Sequence, residues 1–455
     1  MATADGTSSS RGAAINDTIA AIATPPGRGA VGIVRLSGPE AVAIAECMTG
    51  ALPPPRTVAL RGFRDAAGVV VDHGLVLYFK APHSYTGEDV VELQGHGGTV
   101  VTGMVLAAAL AAGARQARPG EFSQRAYLND RMDLAQAEAV ADLIDAATRS
   151  AARAAERSLQ GVFSRRVEAL QRALIEVRVR VEGALDFSEE EAGWFGAELQ
   201  WAMEQARDEL EALLAAGTQG RRLTEGYTVA IAGQPNVGKS TLMNRLAGTD
   251  AAIVTAIPGT TRDVLRESLD LDGLPVTLVD TAGLRDSDDP IEREGILRAT
   301  HAFTRCELIL YLVDAREGVT ATDRTLMATL PPAVRHLVIL NKADLLGERP
   351  LPDGAPLAIS AADGRGIAQL VRAIRESAGV EDAPAAFSTR SRHLDALRRT
   401  HDHLELAWGY LRDGDAAELA AEELRAAHRS LGEICGELDS EELLGRIFAG
   451  FCIGK

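Results

Sequence analysis

The sequence predicts an α/β plus α chain, in which a parallel sheet wound on both faces is inserted into a helical domain and preceded by an α/β domain. Three observations carry this. Between Gly226 and Gly379, short apolar strands alternate with helical stretches, the texture of strands joined by crossover helices. On either side, apolar residues recur at helical spacing, at Leu170, Leu174, Val177, Val181 and Leu185, and again at Leu404, Trp408 and Leu411. Before residue 130, strand-like runs dominate instead.

The bulk properties fit that layout. With 455 residues, 46% of them hydrophobic, the chain can bury several cores and divides into two to four domains. Aromatics make up only 4%, while Ala, Leu, Glu and Arg recur, which favours helix over an all-β architecture. A net charge of −17 argues against a general positive field that coats nucleic acid, so any RNA contact must be local. The basic clusters Arg221-Arg222, Arg390 to His393 and Arg398-Arg399 read first as solvated helix faces. Cys47, Cys306, Cys435 and Cys452 form neither a zinc pair nor a dense disulfide framework. The apolar run Met104 to Ala114 is too short to cross a bilayer, and Met1 to Gly12 is polar, so the expectation is a cytoplasmic protein with no membrane association.

Taken in order, residues 1–16 read as a disordered tail. The α/β domain spans 17–129, with strand-like runs at Thr18 to Ser37, interrupted by Pro25-Pro26-Gly27-Arg28-Gly29, and at Val69 to Phe79 and Val90 to Leu93. Residues 130–220 form the first helical part, Ala-rich from Leu134, and Gly217 to Gly226 reads as a polar link. The inserted module occupies 221–381. Residues 382–455 form the second helical part, with apolar spacing again from Leu424 to Leu431, and Asp439 with Glu442 would cap a last helix before the terminal FCIGK.

Within the module, the apolar strand Tyr227 to Gly233 runs into GQPNVGKS and then into the helix-like TLMNRLAG, the strand, loop and helix context that a phosphate-binding loop requires. Gly233 and Gly238 let the backbone turn close to phosphate oxygens, Lys239 supplies a cation, and Ser240 can ligate magnesium. The expected contacts run from Asn236, Val237 and Gly238 through Lys239 and Ser240 to Thr241. Asp280-Thr281-Ala282-Gly283 ends the strand Val276 to Val279, where a carboxylate can hold magnesium through water and the Gly283 amide can sense a terminal phosphate. Asn341-Lys342-Ala343-Asp344 closes the strand His336 to Leu340; its Asp carboxylate suits the N–H donors of guanine, and adenine would leave it unpaired. Ser360-Ala361-Ala362, after a strand Pro356 to Ile359, would complete the base pocket, and Thr260 or Thr261 would give a hydroxyl to magnesium. The four motifs in this order imply a P-loop, Ras-like module that binds GTP or GDP.

In the Ras pattern a glutamine after the DxxG motif orients the attacking water, but here that position is Leu284. Two readings stand: a slow switch that awaits an outside partner, or a substitute carried in the loop Arg285 to Glu294.

GQPNVGKS, AIVTAIPGTTRDV, DTAGLRDSDDPIEREGI, NKAD and the terminal FCIGK together resemble the MnmE (TrmE) family of bacterial tRNA-modifying GTPases, within the TrmE-Era-EngA-like group, from Asp17 to Lys455. The resemblance implies a potassium-activated GTPase whose modules pair face to face, with Asn236, Thr255, Ile257 and Thr260 on potassium, and Ser240 and Thr261 on magnesium. The nucleotide would also be touched along Thr255, Ala256, Ile257, Pro258, Gly259, Thr260 and Thr261, and Glu292, otherwise one acid in a charged helix start, would orient the water. DTIAAIATPPGRGAVGIVRLSG, SYTGEDVVELQGHGG and RPGEFSQRAYLNDRMDLAQAEAVADLI resemble the family's tetrahydrofolate-binding, dimerising domain.

From the residues alone, Arg35, Glu92 and Arg131 are ionisable groups near element ends, usually merely exposed. The resemblance places them, with Lys455, at a site for 5-formyl- or methylene-tetrahydrofolate, and directs Cys452 toward it. Relatives commonly carry Lys at position 131, so Arg131 replaces a point donor by a planar fork. The family further implies a homodimer and a flavin- and NADH-using partner, MnmG, in a heterotetramer or larger assembly that modifies carbon 5 of the wobble uridine of certain tRNAs with an aminomethyl or carboxymethylaminomethyl group. The alternative is a ribosome-assembly GTPase acting as an RNA-binding switch, which shares these nucleotide motifs.

Overall fold

The structure is a computed structural model, and it describes residues 17–186, 196–248, 266–280, 303–304, 306–346, 357–380, 387–413, 416–436 and 441–454. It falls into two compact units, Met1–Ala141 with Gly432–Lys455, and Asp142–Leu431.

The first unit is built on a six-stranded sheet of order β3-β4-β5-β2-β1-β6. Its strands are β1 (Ile19–Ile22), β2 (Val31–Ser37), β3 (Val58–Arg64), β4 (Val70–Phe79), β5 (Val90–His96) and β6 (Arg115–Gln116). Strict alternation along β2 and β5 sends Val34, Leu36, Val91 and Leu93 to one face, where they pack on Ile44 and Met48 of the helix Ala41–Thr49 and on Val105 and Ala109 of the helix Thr99–Ala111. The apolar run Met104 to Ala114 forms the second half of this helix and the turn after it. Edge strand β3 escapes sequence reading because its burial is weak: only Phe63 is buried. The C-terminal helix Glu441–Ala449 contributes Leu444 and Phe448 to a small core with Tyr127, Leu134 and Phe451.

Patterning also hides a charged core. Arg125 is fully buried, and its guanidinium reaches Asp17 Oδ1 at 2.7 Å, Glu88 at 3.2 Å and Glu121 Oε1 at 3.3 Å. Arg115 adds a 2.6 Å contact to Glu121. Burial pushes the Glu121 carboxyl up, but the bonds from Arg115 and the Arg118 amide outweigh it and hold the group at about 2.

The second unit carries a five-stranded sheet of order β11-β10-β7-β9-β8, its strands being β7 (Tyr227–Gly233), β8 (Arg266–Leu271), β9 (Leu274–Asp280), β10 (Leu308–Asp314) and β11 (Arg335–Asn341). All neighbours are parallel except the edge hairpin β8–β9. In β10 every residue is buried: Leu308, Leu310 and Leu312 enter one core with Leu242 and Leu246 of the helix Lys239–Gly248 and Leu370 and Ile374 of the helix Ile367–Ser377, while Ile309, Tyr311 and Val313 enter the opposite core with Phe303 and Val334. The sheet is therefore covered on both faces, as its unbroken apolar strands require. The expected strand Pro356 to Ile359 survives, among the described residues, as a single parallel bridge between Leu340 and Ala358.

Long helices make up the remainder, Val162–Asp186, Ala197–Glu225, Ser391–Asp413 and Ala417–Cys435 among them. The expected polar link at Gly217 to Gly226 is instead the end of a helix that runs through to Glu225. Its glycines serve close packing, since a Cβ on Gly220 would stand 2.2 Å from the Phe387 carbonyl oxygen and one on Gly217 would stand 3.0 Å from Leu394. Asp439 lies outside the described residues.

Replacing Arg125 by Leu should destabilise the first unit by about 3–5 kcal/mol, because the three carboxylates would remain without their buried cation. Urea unfolding of the full chain at neutral pH checks it. Because the folded Glu121 carboxyl is depressed to about 2, its contribution is complete above the unfolded carboxyl value of about 4.3 and should fade as pH falls from there toward 2.

Candidate functional site

The carboxyl ends of the parallel strands of the second unit bring the sequence motifs together, where open α/β sheets place their ligands. Gly233 ends β7 beside Leu312, Asp314 ends β10 beside Asn341, and Asp280 ends β9 beside Ile231. The loop Gly233 to Gly238 therefore faces the start of Asn341-Lys342-Ala343-Asp344.

Backbone geometry selects the residues of that loop. Gly233 and Gly238 sit at φ 141° and 99°, and Asn236 at φ 62°, a left-handed value that Asn adopts more readily than most residues. A Cβ on Gly233 would come within 2.4 Å of the Leu312 carbonyl oxygen, and one on Gly238 within 2.3 Å of Asn341 Nδ2. Lys239 Nζ donates to the carbonyls of Gly233 at 3.1 Å and Gln234 at 2.9 Å, closing the loop over its own start. Val237 is buried, while Ser240 and Thr241 are exposed in the first turn of the following helix.

Asn341, 2% exposed, is the junction of the site: its Nδ2 donates to Val237 O at 2.8 Å and its Oδ1 accepts from the Ala361 amide at 3.0 Å. Lys342 stands at φ 65° and Ala343 donates its amide to Ile359 O. Asp344 lies in the short 3-10 turn Ala343–Leu346, and although the residue is only half-buried, its Oδ1 is buried with no hydrogen-bond partner in the protein. Ser360 is fully buried, and Arg245 fixes the loop after it by donating to the carbonyls of Ala361 and Ala362.

Several supporting groups escape sequence reasoning. The Asp314 carboxylate accepts from Arg316 at 2.6 Å and from Lys342 Nζ at 2.9 Å, and these bonds, Arg316 foremost, hold it well below the usual range. Thr320 and Asp323 form a capping box on the helix Ala321–Met327, a T-x-x-D signal legible in sequence. Gln234 Nε2 donates to Thr320 Oγ1 at 3.1 Å.

Of the residues expected at this site, Thr255, Ala256, Ile257, Pro258, Gly259, Thr260, Thr261, Thr281, Ala282, Gly283 and Glu292 lie outside the described residues, and of Asp280 only the backbone is described.

In the first unit, register sets Arg35 of β2 directly opposite Glu92 of β5, and they form an ion pair at 2.9 Å with side chains 22% and 13% exposed, so neither is merely a surface charge. The Arg35 guanidinium lies 5.7 Å from the ring centres of both Tyr85 and Phe122. Gly454 O accepts from Arg35 at 3.5 Å, and Gly120 N donates to Cys452 O at 3.4 Å, so the C-terminal motif joins this cluster. The Cys452 thiol-bearing residue is exposed. Arg131 is exposed and packs on Gly87, and Lys455 lies outside the described residues. Among the described residues no helix is long and apolar enough to cross a membrane.

The family model for the GTP-binding protein TrmE N-terminus matches residues 18–131, and that for the MnmE helical domain matches residues 134–452. Relatives named tRNA modification GTPase MnmE include those of Nitrosospira multiformis, 49% identical over 97% of this chain and 99% of the relative, and Methylococcus capsulatus, 51% identical over 96% and 99%. Among solved structures, the FeoB G-domain of Methanococcus jannaschii is 24% identical, covers 34% of this chain and 97% of its own, and has a TM-score of 0.25.

Replacing Asn341 by Ala strands Val237 O and the Ala361 amide together. The expected loss is about 2 kcal/mol in the unfolding free energy of the nucleotide-free chain, measured by urea denaturation.

Proposed function

Because the chain belongs to the MnmE family of tRNA modification GTPases, we propose that it binds and hydrolyses GTP and serves in tRNA modification. The observation that carries the nucleotide reading is the buried, unpartnered Asp344 Oδ1. A guanine edge presents N–H donors to such a carboxylate, whereas adenine presents an acceptor and leaves it unpaired. Lys239 and the loop amides hold the phosphates at the start of the helix Lys239–Gly248. Ser240 and Thr261, with Asp280, would hold magnesium, which when bound neutralises charge on the terminal phosphates.

The hydrolytic reading rests on residues carried over from the family. Leu284 cannot orient water, so Glu292 takes that role as a carboxylate acceptor. Asn236, exposed and set in a left-handed turn, joins Thr255, Ile257 and Thr260 as oxygen donors for potassium. The residues 221–381 form the GTPase domain, set between helical parts 130–220 and 382–455.

In the N-terminal domain, the Glu92 carboxylate offers acceptors for the amino and N–H groups of a reduced pterin, and its ion pair with Arg35 fixes its orientation. Tyr85 and Phe122 supply flat apolar walls nearby. Arg131 and Lys455 add cations for the folate carboxylates, and bound 5-formyl- or methylene-tetrahydrofolate supplies the one-carbon unit. The chain works as a cytoplasmic homodimer with the flavoprotein MnmG on carbon 5 of the wobble uridine, and the exposed Cys452 stands near the folate cluster.

GTP turnover in matched potassium and sodium chloride tests the reading. Potassium alone should accelerate it, and Asn236→Ala should abolish the difference. Glu292→Ala should keep GTP affinity and lose at least about a hundredfold in kcat; equal slow rates in both salts, or unchanged turnover in Glu292→Ala, would overturn the hydrolytic scheme.

A further inference from the structure

We infer that the segment Asp314 to Asp323 is a two-sided brace for the nucleotide site, in which Asp314 positions Lys342 on the base side and Asp323, through Thr320, positions Gln234 on the phosphate side. The inference rests on the guanine-nucleotide reading and goes beyond it, because none of Asp314, Thr320, Asp323 or the Gln234 side chain is needed to contact the ligand.

On the base side, the Asp314 carboxylate is 9% exposed and accepts from Lys342 Nζ at 2.9 Å. The Arg316 fork closes on the same carboxylate, with Nε at 3.0 Å and Nη2 at 2.6 Å, and the Arg316 amide donates at 3.0 Å. That leaves the carboxylate a fixed acceptor with little freedom to rotate away from Lys342. Asp314 and Asn341 are also register partners, and Asn341 O accepts from the Ala315 amide at 2.8 Å, so backbone and side chain tie the two strand ends together.

On the phosphate side, a buried relay starts in the sheet core. Tyr311 OH donates to Asp323 Oδ1 at 3.0 Å, and Asp323, 1% exposed, accepts at Oδ2 from the Thr320 hydroxyl at 2.7 Å. Because that hydroxyl gives its proton to Asp323, its oxygen is left as the acceptor for Gln234 Nε2 at 3.1 Å. The backbone carbonyl of the same residue accepts from Lys239 Nζ at 2.9 Å. A chain of directional bonds thus runs from Tyr311 on β10 to the Gln234 side chain, whose residue also holds the lysine of the phosphate loop through its backbone, and Gln234, Asp314, Asp323 and Lys342 line one cleft with Asn236 and Val237.

The two arms act on different parts of a ligand, which gives a readout that loss of fold would not produce. The experiment is competition of GDP and GMP against a fluorescent GDP on the full-length chain, with thermal unfolding of each variant alongside. Asp314→Ala should weaken GDP and GMP by the same factor, about tenfold, and Asp314→Glu should recover most of it. Gln234→Leu leaves the Thr320–Asp323 cap intact; it should weaken GDP about tenfold and GMP much less. Wild-type affinity in both variants, or equal losses for both ligands in Gln234→Leu, would overturn the brace while the nucleotide reading stands. A wild-type chain without measurable guanine-nucleotide affinity would instead overturn that reading, and the brace with it.

Discussion

Asn341 joins two loops that sequence separates by more than a hundred residues, and the geometry of the nucleotide site depends on that junction. One amide group donates to the Val237 carbonyl and accepts from the Ala361 amide, both bonds being buried. A buried bond of this kind contributes modestly when made, but each partner is costly to leave unmade, so the two loops are fixed relative to one another. Close packing follows from it: Gly238 must lack a side chain because Asn341 Nδ2 occupies the space a Cβ would fill. These two loops are thus held in place by the protein's own hydrogen bonds, which limits the ordering cost of binding between them.

The first unit solves a similar problem with charge. Its strand pairing puts Arg35 opposite Glu92, and its interior holds Arg125 among Asp17, Glu88 and Glu121. A buried cation with several carboxylates is weak evidence of net stability, but it ties Asp17 at the start of the described chain to the helix Glu121–Leu128 and to the loop before β5. The sheet edge, that helix and the C-terminal Gly454 carbonyl are thereby held around the Arg35 cluster.

Much of this is legible in the sequence. The strand–loop–helix context of GQPNVGKS and the apolar runs of β7, β10 and β11 announce themselves because a strand buried on both faces must be apolar throughout. The NKAD segment was equally plain. What could not be read were partnerships set by tertiary packing. Gly217 and Gly220 looked like a link because sequence cannot distinguish a flexible glycine from one pressed against another chain segment. Arg35 and Glu92 looked like ordinary surface charges because register, which pairs them, depends on long-range sheet order. Arg125 offered no signal at all, since a buried arginine breaks the rule that charges stay outside. The roles proposed for Glu292, Arg131 and Cys452 rest on the family resemblance alone.

The central claim is the proposal that Asp344, through its buried Oδ1, is an acceptor for guanine, and exchanging that acceptor for a donor tests it directly. In Asp344→Asn, the side-chain amide can donate to the C2 carbonyl of xanthine while its oxygen accepts the ring N–H; the native carboxylate would repel that carbonyl. Equilibrium affinities of the wild type and Asp344→Asn for GDP and xanthosine diphosphate should therefore reverse in rank, with the wild type preferring GDP by at least about a hundredfold. An unchanged preference in the variant, or a wild type that binds ADP as tightly as GDP, would contradict the account.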